Sequence, residues 1–338
     1  MTSVIGLPFV PEHACAGVRN VVVDGSPNPD TVLTLSHWPG SPTPPGLRAD
    51  LSAQIVFRAL AQPSLFDGIE AVTNNHFDQD GLAGIFALHR PELAAPREAQ
   101  LVDLARAGDF GTFDNRNSAR VAMVIAAFDD DARSPLADEL AGLDYPQRCG
   151  VLYEWMIPRL PELLDHVETW QPLWVEEDAH LTASLAAIAS GSVVIAEEPS
   201  LDLAVVRVPN SFISRAASRF TIDQSSPVHP MAVNSSTACT RVATLHGAHY
   251  RLELRYETWV RLMSRRVLPR VDLRPLAVEL DALEPHGTRW RAAPPSALTP
   301  TLETLEGDDS GLTPDVFLAA VRRLLATAPP AWDPSAAT

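Results

Sequence analysis

Residues 68–90 carry the pattern that most limits the fold of this chain. The stretch "GIEAVTNN" at 68–75 predicts a buried strand, and "DGLAGIFALHR" at 80–90 predicts a helix with Asp80 as its cap. Upstream, "NVVVDG" and "TVLTLSHWPG" predict two more strands, and "ADLSAQIVFRALAQ" has the apolar spacing of a helix. Further helices are expected over 94–107, 116–128, 148–168 and 179–189. Strands that alternate with helices predict an α/β fold with a mostly parallel sheet flanked by helices.

The pattern changes near residue 190, where strand signals replace helix signals. "GSVVIAEEP" with "LDLAVVRVP" predicts one hairpin, and "TRVATLHG" with "HYRLELRYETW" predicts another. We therefore expect an α/β domain over 15–190 and a smaller C-terminal α+β domain over 191–328. Residues 329–338 are rich in Pro and Ala without periodicity, which predicts a disordered tail.

Composition narrows the chemistry and the partners. The net charge of −16 argues against binding long nucleic acid, and all 26 Lys or Arg residues are arginine, which excludes P-loop and Schiff-base lysines. The apolar runs are too short to span a bilayer, so we expect no membrane partner. The three scattered cysteines suit a reducing compartment, so we expect a cytoplasmic protein. The oligomeric state stays open, with a homodimer as one option.

The turn "HFDQD" at 76–80 has the side chains of a metal site. If these residues are extended, His76, Asp78 and Asp80 project to one side, because alternate side chains of a strand share a face. An imidazole with two carboxylates suits manganese, magnesium or zinc. The alternative is a structural role only, in which Asp80 caps the helix, Asp78 is solvated and His76 is a hydrogen-bonded loop residue.

The stretch "HFDQDGLAG" resembles the first motif of the DHH phosphoesterase superfamily, in which such residues between a strand and a helix bind catalytic manganese. The resemblance implies His76, Asp78 and Asp80 as metal ligands and catalytic residues, with Mn²⁺ preferred over Mg²⁺ or Zn²⁺. It also implies an α/β domain with a parallel sheet, a smaller C-terminal substrate domain, and hydrolysis of phosphodiester or phosphoanhydride bonds. The chain has no Asp-His-His triplet and no Gly-Gly-Gly-His motif, so further ligands must come from elsewhere.

Two residues are candidates for the missing ligands. Asp109 follows a helix and precedes an aromatic-glycine turn, and we assign it to the metal. His37 ends the second strand signal, on the same edge as His76 if the strands are parallel, and we place it with the substrate-binding residues. For each residue the alternative is an ordinary loop position.

A third group of candidates lies in the C-terminal half. His246 and His249 flank a Gly-Ala turn, and Arg251 and Arg255 follow in an arginine-rich segment that could hold phosphate oxygens. The alternatives are a tight hairpin, which explains Gly247, and arginines paired with nearby glutamates.

Together these features predict a metal-dependent hydrolase. One or two divalent ions would lower the pKa of a bound water, which would attack the phosphorus of a small phosphodiester, nucleotide or phosphoanhydride. The alternative is a non-catalytic protein of the same fold that binds a phosphorylated ligand, and the missing triplet favours that alternative.

Overall fold

The protein is described here by a computed structural model that covers residues 6–217, 225–305 and 308–334. Within these residues the chain forms two compact units. Unit 1 comprises residues 6–179 and Leu262–Ser264, and unit 2 comprises the remainder. The boundary between Ala179 and His180 lies inside a helix, whereas the sequence placed the change near residue 190, at the end of that helix.

Unit 1 contains three short strands and a series of helices. In chain order they are β1 (Asn20–Val23), β2 (Thr31–Leu35), α1 (Ser52–Leu60), β3 (Ala71–Thr73), α2 (Gln79–His89), α3 (Pro91–Ala94), α4 (Glu98–Asp109), α5 (Arg116–Asp129), α6 (Ala137–Leu140), α7 (Tyr145–Met156), α8 (Leu160–Asp165) and α9 (Val175–Ala189), which continues into unit 2.

The three strands form a parallel sheet in the order β2-β1-β3. Val23 pairs with Leu35, and Val22 pairs with Thr73, so the carboxyl ends of all three strands lie on one edge. The expectation that His37 and His76 share an edge is therefore confirmed. Side chains that follow parallel strands at one edge are brought together although they are far apart in sequence.

Helix α2 is the central helix of unit 1. Its residues 80–88 are all buried, and it packs against α1 and α4. Gly84 permits a close approach to β1, because a Cβ atom there would lie 2.6 Å from Val23 Cγ1. A helix buried on all sides has no polar face, which agrees with the uninterrupted apolar sequence that follows the polar turn.

Unit 2 is built on a six-stranded sheet in the order β10-β11-β9-β8-β5-β4. Its elements are β4 (Val194–Glu198), β5 (Leu203–Val208), β6 (Arg215–Ala216), β7 (Ser225–Ser226), α10 (Pro230–Asn234), β8 (Arg241–His246), β9 (His249–Leu254), α11 (Arg274–Leu283), β10 (Trp290–Ala292), β11 (Thr301–Thr304) and α12 (Pro314–Thr327). Both predicted hairpins, β4–β5 and β8–β9, are confirmed as antiparallel pairs. One apolar cluster joins residues of β5, β8, β9 and β11 to residues of α11 and α12.

The mixed α/β character is confirmed, but the predicted mostly parallel sheet is wrong in its arrangement. Among the described residues, named strands pair in parallel only in the small sheet of unit 1 and between β5 and β8, and the largest sheet lies in unit 2. The reason is that residues 91–189 form helices and turns without further strands, so the parallel sheet stops at three. Local hairpins then make the second sheet mainly antiparallel.

Two smaller expectations also differ. The predicted helix over 148–168 is divided into α7, a turn at Ile157–Arg159 and α8, because Pro158 and Pro161 lack the N–H that a continuous helix needs. Of the expected loose tail, Ala331 and Trp332 are hydrogen-bonded to the backbone of Arg270, and residues 335–338 lie outside the described residues.

No helix among the described residues has both the length and the apolar character needed to cross a bilayer.

Candidate metal centre

Six metal-competent side chains meet at the carboxyl edge of the parallel sheet of unit 1. Asp24 follows β1, His37 follows β2, the turn after β3 supplies His76 and Asp78, α2 supplies Asp80, and Asp109 ends α4. Two overlapping groups can be distinguished by the exposure of their side chains, and both contain Asp24.

The outer group consists of Asp24, His76 and Asp78. The Nε2 atom of His76 lies 3.3 Å from Asp24 Oδ2 and 3.2 Å from Asp78 Oδ2. The His76 and Asp78 side chains are 19% and 20% exposed, so this group reaches solvent. The indole of Trp38 stacks on the His76 ring, with centroids 5.0 Å apart.

The inner group consists of Asp24, His37 and Asp80, with Asp109 beside it. The Nε2 atom of His37 lies 3.4 Å from Asp24 Oδ1, 3.4 Å from Asp109 Oδ2 and 3.9 Å from Asp80 Oδ2. All four side chains are almost completely buried. Asp24 therefore presents one carboxylate oxygen to each group.

Hydrogen bonds from the surrounding backbone orient the inner group. The carbonyl of Asp50 lies 2.5 Å from His37 Nδ1 and can only accept, so Nδ1 carries a proton and Nε2 is left facing the carboxylates. The two carboxylate oxygens of Asp80 accept the N–H groups of Ser52 and Ala53, each at 2.7 Å, at the start of α1. Such bonds fix a carboxylate and leave lone pairs for a further partner.

Asp24 was missed by the sequence argument, although "NVVVDG" was recognised as a strand signal. Its backbone has φ 53°, one of two non-glycine residues with positive φ among those described. At this edge of the sheet Asp24 Oδ1 accepts the Ser52 hydroxyl at 2.7 Å, and such strained backbone conformations are common at functional sites. The signal that could have found it is an aspartate followed by glycine at the carboxyl end of a buried strand.

The charges of the cluster perturb its pKa values strongly. Burial, with the negative charges of Asp78 and Asp80, raises the pKa of Asp24 to about 7. Burial and the charge of Asp78 raise the pKa of Asp80 to about 7. Burial lowers the pKa of His76, but the charge of Asp78 and hydrogen bonds to Asp24 and Asp78 outweigh it and raise that pKa to about 10. The positive charge of His76 in turn outweighs burial and lowers the pKa of Asp78.

The residues present fit a divalent cation. Among the described residues, the buried Asp24 Oδ2 meets only His76 Nε2, at 3.3 Å, and that atom is itself a potential metal ligand, although a buried carboxylate oxygen normally has a partner of its own. In each group the ligand atoms lie within 4.8 Å of one another. Two ligands bound to one ion at about 2.1 Å are about 3.0–3.4 Å apart, close to the separations of the Nε2 atoms from the nearest carboxylates. The mixture of imidazole nitrogen and carboxylate oxygen suits manganese, zinc or magnesium.

The predicted geometry of "HFDQD" is wrong in detail. Residues 76–80 are not one extended run, because β3 ends at Thr73 and α2 begins at Gln79. Asp78 is the cap of α2, accepting the Gly81 N–H at 2.8 Å, and Asp80 lies in the first turn of the helix. His76 and Asp78 still converge, but Asp80 faces the inner group because a helix turns its side chain away from theirs.

The predicted substrate residues of the C-terminal half lie in unit 2. His246 and His249 pair across the β8–β9 turn, and His249 is exposed with Nε2 3.2 Å from Asp309 Oδ1. Arg251 is half-buried and donates to Glu253 at 3.1 Å. Arg255 is buried, and its guanidinium is held by Glu257 and by backbone carbonyls, so it stabilises unit 2 from within. A substrate role for these four residues stays a prediction, and it is least compatible with Arg255, because that guanidinium is buried and already paired.

A family model matches the chain over residues 6–336. The chain belongs to DUF6687, a family of unknown function. No curated protein and no solved structure matches it. Because the family description names no activity, the function must be argued from the residues of the site.

Proposed function

We infer that this member of DUF6687 is a divalent-metal-dependent phosphoesterase whose centre is the cluster of unit 1. The observation that carries the proposal is the sharing of Asp24 between the outer and inner groups, with one carboxylate oxygen facing each. A bridging carboxylate between two ligand groups is the arrangement of two-metal hydrolytic sites. Manganese is the proposed ion, and the likeness of "HFDQDG" to the DHH superfamily supports the same reaction class.

Charge balance favours two ions over one. Asp24, Asp78, Asp80 and Asp109 carry four negative charges when ionised, and two divalent cations supply four positive charges. With one ion and neutral histidines, the cluster would keep an excess of two negative charges, and an unbalanced charge in a low-dielectric interior is costly. His37 then serves the inner ion as a ligand, so we move it from the substrate residues, where the sequence placed it, to the metal ligands.

The bound ions would supply Lewis acidity toward a phosphate and would lower the pKa of a coordinated water. The roles of the protein's own residues would differ with the exposure of their side chains. Asp80 and His37 hold the buried side of the centre, with their orientation fixed by the start of α1 and by Asp50. His76 and Asp78 form the side that a small phosphorylated substrate can reach.

A second candidate function is a non-catalytic protein that binds a phosphorylated ligand at the same centre. The absence of an Asp-His-His triplet from the sequence favours it. Both candidates require bound metal, and they differ in turnover. A phosphorylated ligand that raises the unfolding temperature of the metal-loaded protein without being consumed would favour the second candidate.

The decisive experiment compares metal content and hydrolysis in the wild type and in Asp78→Asn. Asparagine keeps an oxygen to accept the Gly81 N–H and so preserves the helix cap, but it removes the ligand charge. Asp138→Asn, which neutralises an exposed carboxylate on α6, is the matched control.

We expect the wild type and Asp138→Asn to retain manganese after desalting and to hydrolyse bis(p-nitrophenyl) phosphate or a dinucleotide. Asp78→Asn should lose the outer ion and most of the activity. A wild type that holds no metal after manganese loading would refute the proposal. A wild type that holds metal but releases no product from a panel of phosphodiesters, nucleotides and phosphoanhydrides would leave the binding function as the better candidate.

A further inference from the structure

Tyr153 reaches from α7 to the turn that carries His76 and Asp78. Its hydroxyl donates to the backbone carbonyl of His76 at 2.9 Å, although the two residues are 77 positions apart in sequence. The Tyr153 side chain is completely buried. Its ring lies edge-on to Phe77, with centroids 5.0 Å apart, and is tilted against Phe9 at the same distance. The phenol is thus held by packing, and its hydroxyl has one direction in which to donate.

Asn74 completes the arrangement from the other side. Its Oδ1 accepts the backbone N–H groups of Asn75 at 2.7 Å and His76 at 3.3 Å, and its Nδ2 donates to the Tyr153 hydroxyl at 3.0 Å. Both backbone polar groups of His76 are therefore held, the N–H by the amide and the carbonyl by the phenol. A backbone fixed on both sides determines where the imidazole of His76 can point.

Two glycines make room for this network. A Cβ atom on Gly81 would lie 2.4 Å from Asn74 Nδ2 and 2.6 Å from the Tyr153 hydroxyl, closer than any side chain allows. A Cβ atom on Gly25, next to Asp24, would lie 2.7 Å from Asn74 Oδ1. The amide of Asn74 thus lies against the backbone that follows Asp24 and against the first turn of α2. The network is therefore hydrogen-bonded to His76, and it packs against the glycine that follows Asp24 and the glycine whose N–H donates to Asp78.

We propose that Tyr153 and Asn74 are positioning residues that fix the outer group of the metal centre, with the Tyr153 hydroxyl as the essential donor. The inference rests on the proposed metal-dependent function. Neither residue contacts a ligand atom, so their effect passes through the backbone of His76. Residues that orient metal ligands from outside the coordination shell typically change metal affinity by about 10- to 100-fold when they are replaced. The inner group shares Asp24, but its other members are oriented separately, His37 by Asp50 and Asp80 by Ser52 and Ala53, so the inner ion should keep its affinity.

The test is a manganese titration of Tyr153→Phe, which removes one oxygen atom and keeps the packed ring. Isothermal titration calorimetry and metal analysis together report the number of ions and the affinity of each. Tyr250→Phe is the matched control, because Tyr250 is also buried and its hydroxyl also donates to a backbone carbonyl, that of Leu312 at 3.0 Å in unit 2. It loses the same kind of bond in the other unit.

We expect Tyr153→Phe to bind one of two manganese ions about 10- to 100-fold more weakly and the other as the wild type does. Gly81→Ala, which pushes a methyl group into the network, should weaken the same ion. In the Asp78→Asn background, Tyr153→Phe should cause no further loss, because the outer ion is already gone. Tyr250→Phe should bind both ions normally.

Three results would overturn the inference. Unchanged affinity in Tyr153→Phe, with an unfolding temperature lowered as in Tyr250→Phe, would make Tyr153 a structural residue only. Equal weakening of both ions would show that the network does not act on the outer group in particular. A wild type without bound manganese would remove the proposed metal centre itself, which distinguishes that failure from the first two.

Discussion

The substitution Asp24→Asn should have opposite effects on stability with and without metal. In the metal-free protein, a pKa raised from 3.8 to about 7 means that ionising Asp24 at pH 8–9 costs up to about 4 kcal/mol. Asparagine removes that cost and still accepts the Ser52 hydroxyl. The hydrogen bond to His76 is lost, which offsets part of the gain. Metal-free Asp24→Asn should therefore be as stable as the wild type or more stable, by at most about 4 kcal/mol.

With manganese present the order should reverse. Each ion at 100 times its Kd stabilises the folded state by about 2.7 kcal/mol, so two ions give about 5 kcal/mol. A domain of this size gains about 2–4 °C per kcal/mol, which predicts a rise of about 10–20 °C in the wild type. Asp24→Asn should lose most of that rise, because Asp24 contributes an oxygen to both groups.

Differential scanning fluorimetry at pH 8.5, after chelation and again with manganese, measures both effects in one experiment. A variant that keeps the full manganese-dependent rise would refute the bridging role of Asp24. A variant that is strongly destabilised without metal would show that the carboxylate is needed for folding, contrary to the reasoning from its raised pKa.

Three further results follow from the same structure. The free energy of unfolding of the metal-free protein, measured by urea titration, should fall as pH rises from 5 to 10. The raised pKa values of Asp24, Asp80 and His76 mean that the native state binds more protons than the unfolded chain over this range. A free energy of unfolding that does not change with pH would contradict this. Saturating manganese should remove the decline between pH 5 and 8, and adding EDTA should restore it, since bound ions keep the carboxylates ionised in the native state. Arg255→Met should lower the free energy of unfolding by up to about 3–5 kcal/mol, because it leaves the buried Glu257 with the more distant Arg265, at 3.9 Å, as its ion-pair partner. The variant should not change manganese affinity, and a reduced affinity would contradict this.

Much of the local structure could be predicted because it depends on neighbours in sequence. The alternation of β9, the turn at Gly247 and the apolar run of α2 all follow from side-chain periodicity and turn chemistry. The same local evidence identified His76 and Asp78 as a converging pair. It failed at Asp80, because the exact residue at which a strand ends and a helix begins decides which way that side chain points.

The sequence by itself determined which side chains were available. All its basic Lys or Arg side chains are arginine, a turn with potential metal ligands follows one buried strand, and an aspartate and a histidine follow two other strands. Only the tertiary structure decided that Asp24 joins the outer and inner groups, and that Tyr153 holds the backbone of His76 from 77 residues away. Parallel pairing of β1 with both neighbours places their carboxyl ends on one edge, and that register is set by burial across the whole unit. Periodicity describes a segment on its own, whereas a site of this kind is made where segments meet.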